Sequence, residues 1–199
     1  ASTNSHGIPE LDVVSLEECL KRFTEVEKLD HVSLWRCQEC LTRHPGNEER
    51  RGGIKQLSIQ SVAPSMCVQL KRFESFRHAG GQQSIKIDTH VRFPLRLDFA
   101  PYMSASVLRR GRQWLEAYLK KGAGAGGVPL VDDYSVAPSW YSLYAVVVHH
   151  GRMDSGHYSA FIRRGKDWFA CDDSAIVIVS EKAVLECQAY LLYYISCEP

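Results

Sequence analysis

Two residues of this 199-residue chain are placed to form an acid–base pair: His157 in Gly156-His157-Tyr158, and Asp172 in Asp172-Asp173. Between them lies Arg164-Gly165, an X-Gly pair suited to a two-residue hairpin turn. A turn centred between those two residues puts His157 and Asp172 equally far out on opposite arms. They would then face each other across the ribbon, with Cβ atoms about 4.5–5.5 Å apart. A carboxylate so placed accepts the ring N–H, fixes the tautomer and stabilises the charged imidazole. The other ring nitrogen is then free to act as a base. The bland alternative is a structural His–Asp pair, with Asp173 and Ser174 as ordinary turn residues. A slip of one residue would put the two groups on opposite faces and make Asp173 the partner.

Other residue patterns carry less chemistry. Gly151 to Gly156 (GRMDSG) precedes His157, and small residues beside a reactive histidine suit either a loop over a cleft or a plain hairpin loop. Cys37-Gln38-Glu39-Cys40 is half of a tetrahedral zinc site. His44 could be a third ligand, and no fourth is evident. Either the other pair lies outside this chain or the turn is metal-free. His149 and His150 are neighbours on a predicted strand, so they face opposite ways and read as structural. The segment Gly122 to Gly127 matches G-x-G-x-x-G, but it follows a predicted helix, the wrong context for a dinucleotide site. Arg109, Arg110, Arg112, Lys120 and Lys121 read as a solvated helix face, with a contact to acidic protein or nucleic acid as the alternative.

The elements that must position these groups follow from periodicity. Residues 1–14 read as a tail or linker. Ser15, with Glu18 three residues on, forms a capping box, and Leu16, Cys19, Leu20, Phe23 and Val26 give one apolar face of a helix to about Lys28. Ile54 to Val62, Met66 to Phe73 and Val91 to Leu97 read as strands, with Pro64 and Gly80-Gly81 as breakers. A second helix is predicted over Ser104 to Lys121, with Leu108, Leu115 and Leu119 on its apolar face. The region 98–135 reads as an insertion between strands, too small for a core of its own. The last third predicts strands at 141–150, 157–163, 168–171, 175–179 and 189–195. A short helix over 181–187 follows a Ser180 cap. Strands without regular βαβ alternation predict an α+β fold with a mainly antiparallel sheet.

Composition narrows the classes. Hydrophobic residues make up 45% and charged residues 24%, an ordinary globular balance. With 24 Lys+Arg against 23 Asp+Glu there is no basic field to drive direct nucleic-acid binding. No apolar run is long enough to cross a bilayer, and residues 1–10 lack the apolar core of a signal peptide. Seven irregularly spaced cysteines argue for a reducing compartment, cytosol or nucleus, rather than a disulfide framework.

Five blocks carry a family resemblance: Gln69-Leu70-Lys71-Arg72-Phe73, Val91-Arg92-Phe93-Pro94-Leu95, Ser155 to Phe161, Trp168 to Ser174, and Gln188 to Tyr194. In content and order they resemble the ubiquitin-specific proteases, over about Ser15 to Ile195. Phe93 to Asp98 with Pro101-Tyr102-Met103 resembles the deubiquitinase subunit of the SAGA coactivator.

The resemblance implies a papain-like cysteine protease fold of thumb, palm and fingers. His157 matches the catalytic base, Asp172 the acid that orients it, and Asp173 a neighbouring polar residue that assists. Gly156 and Tyr158 match the channel for the ubiquitin tail, and Cys37 and Cys40 match the second C-x-x-C of zinc-bearing fingers. The expected partners are ubiquitin, a ubiquitinated protein such as a histone, and the adaptor subunits of a SAGA-type module, in the nucleus. One departure stands out. The family nucleophile sits in a block resembling Asn-x-x-Asn-Thr-Cys, and no cysteine here has that context. The first C-x-x-C of the fingers is also missing. The chain therefore resembles the C-terminal two-thirds of the catalytic domain, palm and part of the fingers, without the thumb. The competing readings are a catalytically dead ubiquitin-binding palm and a zinc-stabilised scaffold.

Overall fold

The computed structural model describes residues 14–29, 42, 53–78, 81–119, 139–152 and 155–198. The predicted zinc ligands Cys37 and Cys40, His44 and the Gly122 to Gly127 segment lie outside them. The chain divides into two compact units. One comprises 1–19, 62–99 and 136–199; the other comprises 20–61 and 100–135.

Helix α1 (Leu16–Phe23) begins where predicted, and the Ser15 Oγ accepts the Glu18 N–H at 3.1 Å. It ends five residues earlier than the apolar spacing suggested. Thr24 is buried and turns its hydroxyl back onto the Leu20 and Lys21 carbonyls, at 3.1 and 3.2 Å. Those bonds close the last turn. Val26, predicted on the helix face, instead starts strand β1 (Val26–Leu29), which pairs antiparallel with β2 (Gly53–Gln56).

Next in the chain come β3 (Ser65–Gln69), β4 (Phe73–His78), β5 (Gly81–Lys86) and β6 (Arg96–Asp98). A 3₁₀ turn, Ala100–Tyr102, leads into α2 (Ser104–Leu119). Ser104 opens α2: its N–H donates to the Ile59 carbonyl at 2.9 Å, and its Oγ lies 2.9 Å from Ser58 Oγ. The buried residue of its first turns is Val107, while Leu108, predicted on the apolar face, is 38% exposed. The Leu115 and Leu119 side chains fall outside the described set.

The last third holds β7 (Trp140–Gly151), β8 (Gly156–Arg164), β9 (Asp167–Asp172), β10 (Ala175–Val179), α3 (Glu181–Leu185) and β11 (Ala189–Ser196). Ser180 caps α3 by accepting the Ala183 N–H at 3.2 Å, as its position predicted. The strands form one antiparallel sheet in the order β10-β9-β8-β7-β11-β3, with β6 added to the start of β7. One face of that sheet is buried: Val146, Val148, Trp168 and Leu192 alternate inward, each worth about 1.5–3 kcal/mol of apolar burial. Phe99 meets Tyr141 edge-to-face at 5.1 Å, and the buried Tyr194 hydroxyl donates to the Pro94 carbonyl at 2.7 Å. Among the described residues no helix is long and apolar enough to cross a membrane.

The β8–β9 hairpin turns one residue later than the sequence suggested. Arg164 pairs with Asp167, so the turn is Gly165-Lys166. Gly165 has φ +63° at the first central position, which only glycine fills without strain and which a II′ hairpin requires. Continuing this register from Ala160↔Cys171 places Asp172 across from Ser159, not from His157. The displacement is two residues, an even number, so His157 and Asp172 still share a face.

Candidate active site

Three strand ends bring the site together. His157 is the second residue of β8, Asp172 is the last of β9, and Asp173 begins the two-residue connection to β10, where Asp172 pairs with Ala175. The His157 Nε2 is hydrogen-bonded to Asp172 Oδ1. An ionised carboxylate can only accept, so the proton of the neutral ring resides on Nε2. Nδ1 then keeps its lone pair and is the basic atom. The Asp172 hydrogen bond, and then its negative charge, hold the His157 ring above its ordinary value of 6.5, with a smaller contribution from Asp173. Both side chains stay solvent-accessible, 47% for His157 and 59% for Asp172, so an incoming group can reach the ring.

Asp173 has φ +48°, the sole positive φ among the described non-glycine residues. The left-handed turn keeps its carboxylate within 4.8 Å of the ligand atoms of His157 and Asp172. Gly156 is fixed by its surroundings. A Cβ there would stand 2.1 Å from His149 Nε2 and 2.6 Å from the His150 carbonyl oxygen. Tyr158 is exposed, and its ring centroid lies 4.8 Å from that of His149.

The adjacent histidines do face opposite ways. His149 is buried beside the rings of Phe73, at 5.4 Å, and Tyr190, at 6.2 Å, and its Nδ1 has no hydrogen-bond partner among the described residues. His150 lies beside the candidate base. It pairs directly with His157 across β7 and β8, the rings lie 6.4 Å apart at 27°, and its Nε2 is 2.9 Å from Ser159 Oγ. The sequence contained the signal. Gly151 and Gly156 bracket the β7–β8 loop and pair with each other, and counting outward from them matches His150 with His157 and His149 with Tyr158.

Two cysteines of the described part, Cys187 and Cys171, are poorly placed to serve this histidine as a nucleophile. Burial pushes the Cys187 thiol up to about 11, which keeps it protonated and inert. Cys171 alternates to the sheet face opposite Asp172.

Comparison with known proteins shows the family. The ubiquitin carboxyl-terminal hydrolase family pattern matches residues 12–194. The chain is 33% identical over 195 residues to mouse ubiquitin carboxyl-terminal hydrolase 51, covering 98% of this chain and 26% of that protein. It is 38% identical over 181 residues to human ubiquitin carboxyl-terminal hydrolase 22, covering 90% of this chain and 30% of that one. A yeast SAGA deubiquitinase module structure aligns at TM-score 0.65 and 28% identity, over 93% of this chain and 33% of its own. A SAGA Ubp8/Sgf11/Sus1/Sgf73 module bound to ubiquitin aldehyde aligns at TM-score 0.65 and 29% identity, over 95% of this chain and 35% of its own. The chain thus spans about a quarter to a third of the length of these relatives. From the matched pattern, these identities and the shared fold, this chain belongs to the ubiquitin carboxyl-terminal hydrolase family and carries the ubiquitin-specific protease catalytic-domain fold.

Proposed function

We propose that this chain supplies the base and the orienting acid of a thiol-dependent deubiquitinase, with the nucleophilic cysteine contributed from outside residues 1–199. The supporting observation is the His157 Nε2 bond to Asp172, which leaves Nδ1 as a base of raised proton affinity. His157 Nδ1 takes the thiol proton, giving a thiolate–imidazolium pair. The thiolate attacks the carbonyl carbon of the ubiquitin C-terminal glycine, and the tetrahedral oxyanion collapses to a thioester. The amine leaves with the proton from His157. The same nitrogen then deprotonates water, which cleaves the thioester and restores the thiol. Asp172 holds the ring through each transfer, Asp173 adds negative charge beside it, and Gly156 with Tyr158 walls the narrow approach for the substrate's terminal glycines.

The finer reading is a SAGA-type histone deubiquitinase in the nucleus, working with adaptor subunits. It is supported by the neighbours whose structures are SAGA modules with Sgf11, Sus1 and Sgf73. Cys37 and Cys40 would hold a structural zinc with two ligands from outside this chain; paired soft thiolates at this spacing suit that ion. Bound zinc that falls in a Cys37→Ser variant supports this assignment, and unchanged zinc refutes it. For the reaction itself, His157→Ala in the full-length protein abolishes hydrolysis of a ubiquitin–fluorophore conjugate and leaves ubiquitin binding intact. Unimpaired turnover would remove His157 from the mechanism.

A further inference from the structure

Among the described residues, the end of β7 that carries His150 has a ladder partner on one edge only. β8 pairs along it to Gly151, but on the other edge β11 makes its last pairing at Ala189↔Val148. Residues 149 to 151 run on past it. The Arg152 N–H donates to the Ser155 carbonyl at 2.8 Å, which fixes the alternation of the ladder. The pair 150↔157 is therefore hydrogen-bonded, while 149↔158 and 151↔156 are not. The carbonyls of His149 and Gly151 accordingly point away from β8, toward the edge that β11 has left.

Lys86 occupies that edge. Its Nζ donates to the His149 carbonyl at 2.9 Å and to the Gly151 carbonyl at 3.2 Å. These are the two outward acceptors that flank His150. The ammonium lies 3.8 Å from the Asp88 carboxylate, and its side chain is 21% exposed. Its backbone is itself anchored. Buried Arg72 binds the carbonyls of Ile87, Thr89 and Ala189 at 3.0, 2.9 and 2.6 Å, tying the segment after Lys86 to the first residue of β11.

We propose that Lys86 is a positioning residue for His157: its ammonium takes the place of the missing strand at the open edge of β7, and so holds the strand end on which the base is registered. Without it, two carbonyls face solvent at a strand terminus, and the His150–His157 pair opens by fraying. A single cation that bonds two alternate carbonyls does the work of a short ladder, with charge-assisted bonds stronger than the neutral ones it replaces. This inference rests on the reading of His157 as the base, but the positioning itself is observable without any turnover.

The test is Lys86→Met in the full-length protein, with Lys86→Arg as the conservative variant and Lys86→Gln should the methionine variant misfold. Amide exchange at His157, whose N–H faces the His150 carbonyl, should speed up about tenfold on loss of the ammonium, while exchange at Val146 and Leu192 stays unchanged. With ubiquitin–fluorophore substrate, kcat should fall about tenfold with KM within about twofold, since ring placement matters most in the transition state. Lys86→Arg should restore both. Unchanged exchange at His157, or equal loss of protection across the whole sheet, would overturn the proposal. If the wild-type protein cleaves no ubiquitin conjugate, the base reading fails, while local exchange still decides the role of Lys86.

Discussion

Asp172 meets His157 on the diagonal of the β8–β9 ladder rather than straight across it, because the turn falls at Gly165-Lys166. Side chains two positions apart on one face remain within reach of each other. A long imidazole and a terminal carboxylate close that diagonal. The bond uses Nε2 and commits Nδ1 to the open side of the ring.

Replacing the acid should uncouple the ring. In Asp172→Asn the His157 midpoint falls back toward 6.5, since the carboxylate charge is gone and an amide oxygen accepts only a weaker, neutral bond from the ring. Turnover by the full-length protein should fall by about 10²–10⁴, the range of general acid–base work. Nuclear magnetic resonance titration of the ring checks the first, and steady-state kinetics the second. The pH dependence has a definite sign. A folded-state value raised above the unfolded one gives stability that is present below about 6.5 and is lost as pH rises through the raised value. The variant's deficit in urea midpoint should therefore be visible near about pH 6 and shrink as pH rises through the raised value.

Gly156→Ala should disturb the site through packing. The new methyl would meet the His149 ring and the His150 carbonyl, and the carbonyl is backbone that cannot rotate away. A cost of about 1–3 kcal/mol in urea unfolding is expected, typical of overpacking. The His157 ring resonances should shift as β8 moves.

Arg72→Met tests the brace under the site. Arg72 is buried, and desolvation lowers its pKa while the charge of Asp88 acts against that fall. Its loss strands the carbonyls of Ile87, Thr89 and Ala189. Unfolding free energy should drop by about 2–4 kcal/mol, measured by urea denaturation.

Much of this arrangement was legible beforehand, for physical reasons. The β-branched and aromatic composition of 141–150 and 189–195 marks strands, and they form β7 and β11 within a residue of those bounds. Ser180 announced α3 because a cap is a local hydrogen bond. β1 was not legible: Val26 extends the apolar stripe of α1, and its strand partner, Gln56, is remote in sequence. The β4–β5 hairpin was hidden by its composition, since Gln82, Gln83 and Ser84 give no apolar alternation, although Gly80-Gly81 marked the break. The hairpin register was misplaced by one turn position because Arg164-Gly165 and Gly165-Lys166 both offer glycine, and only the left-handed φ at the first central position separates them. The pairing of His150 with His157 was not legible from strand alternation, a rule that separates His150 from His149 but says nothing of the strand beside it.

The most direct measurement is to treat the full-length protein with an electrophilic ubiquitin probe and locate the adduct by mass spectrometry, in wild type and in His157→Ala. The account predicts an adduct on a cysteine outside residues 1–199 in the wild type and none in the variant. Labelling on a cysteine within this chain, or labelling undiminished without the imidazole, would contradict it.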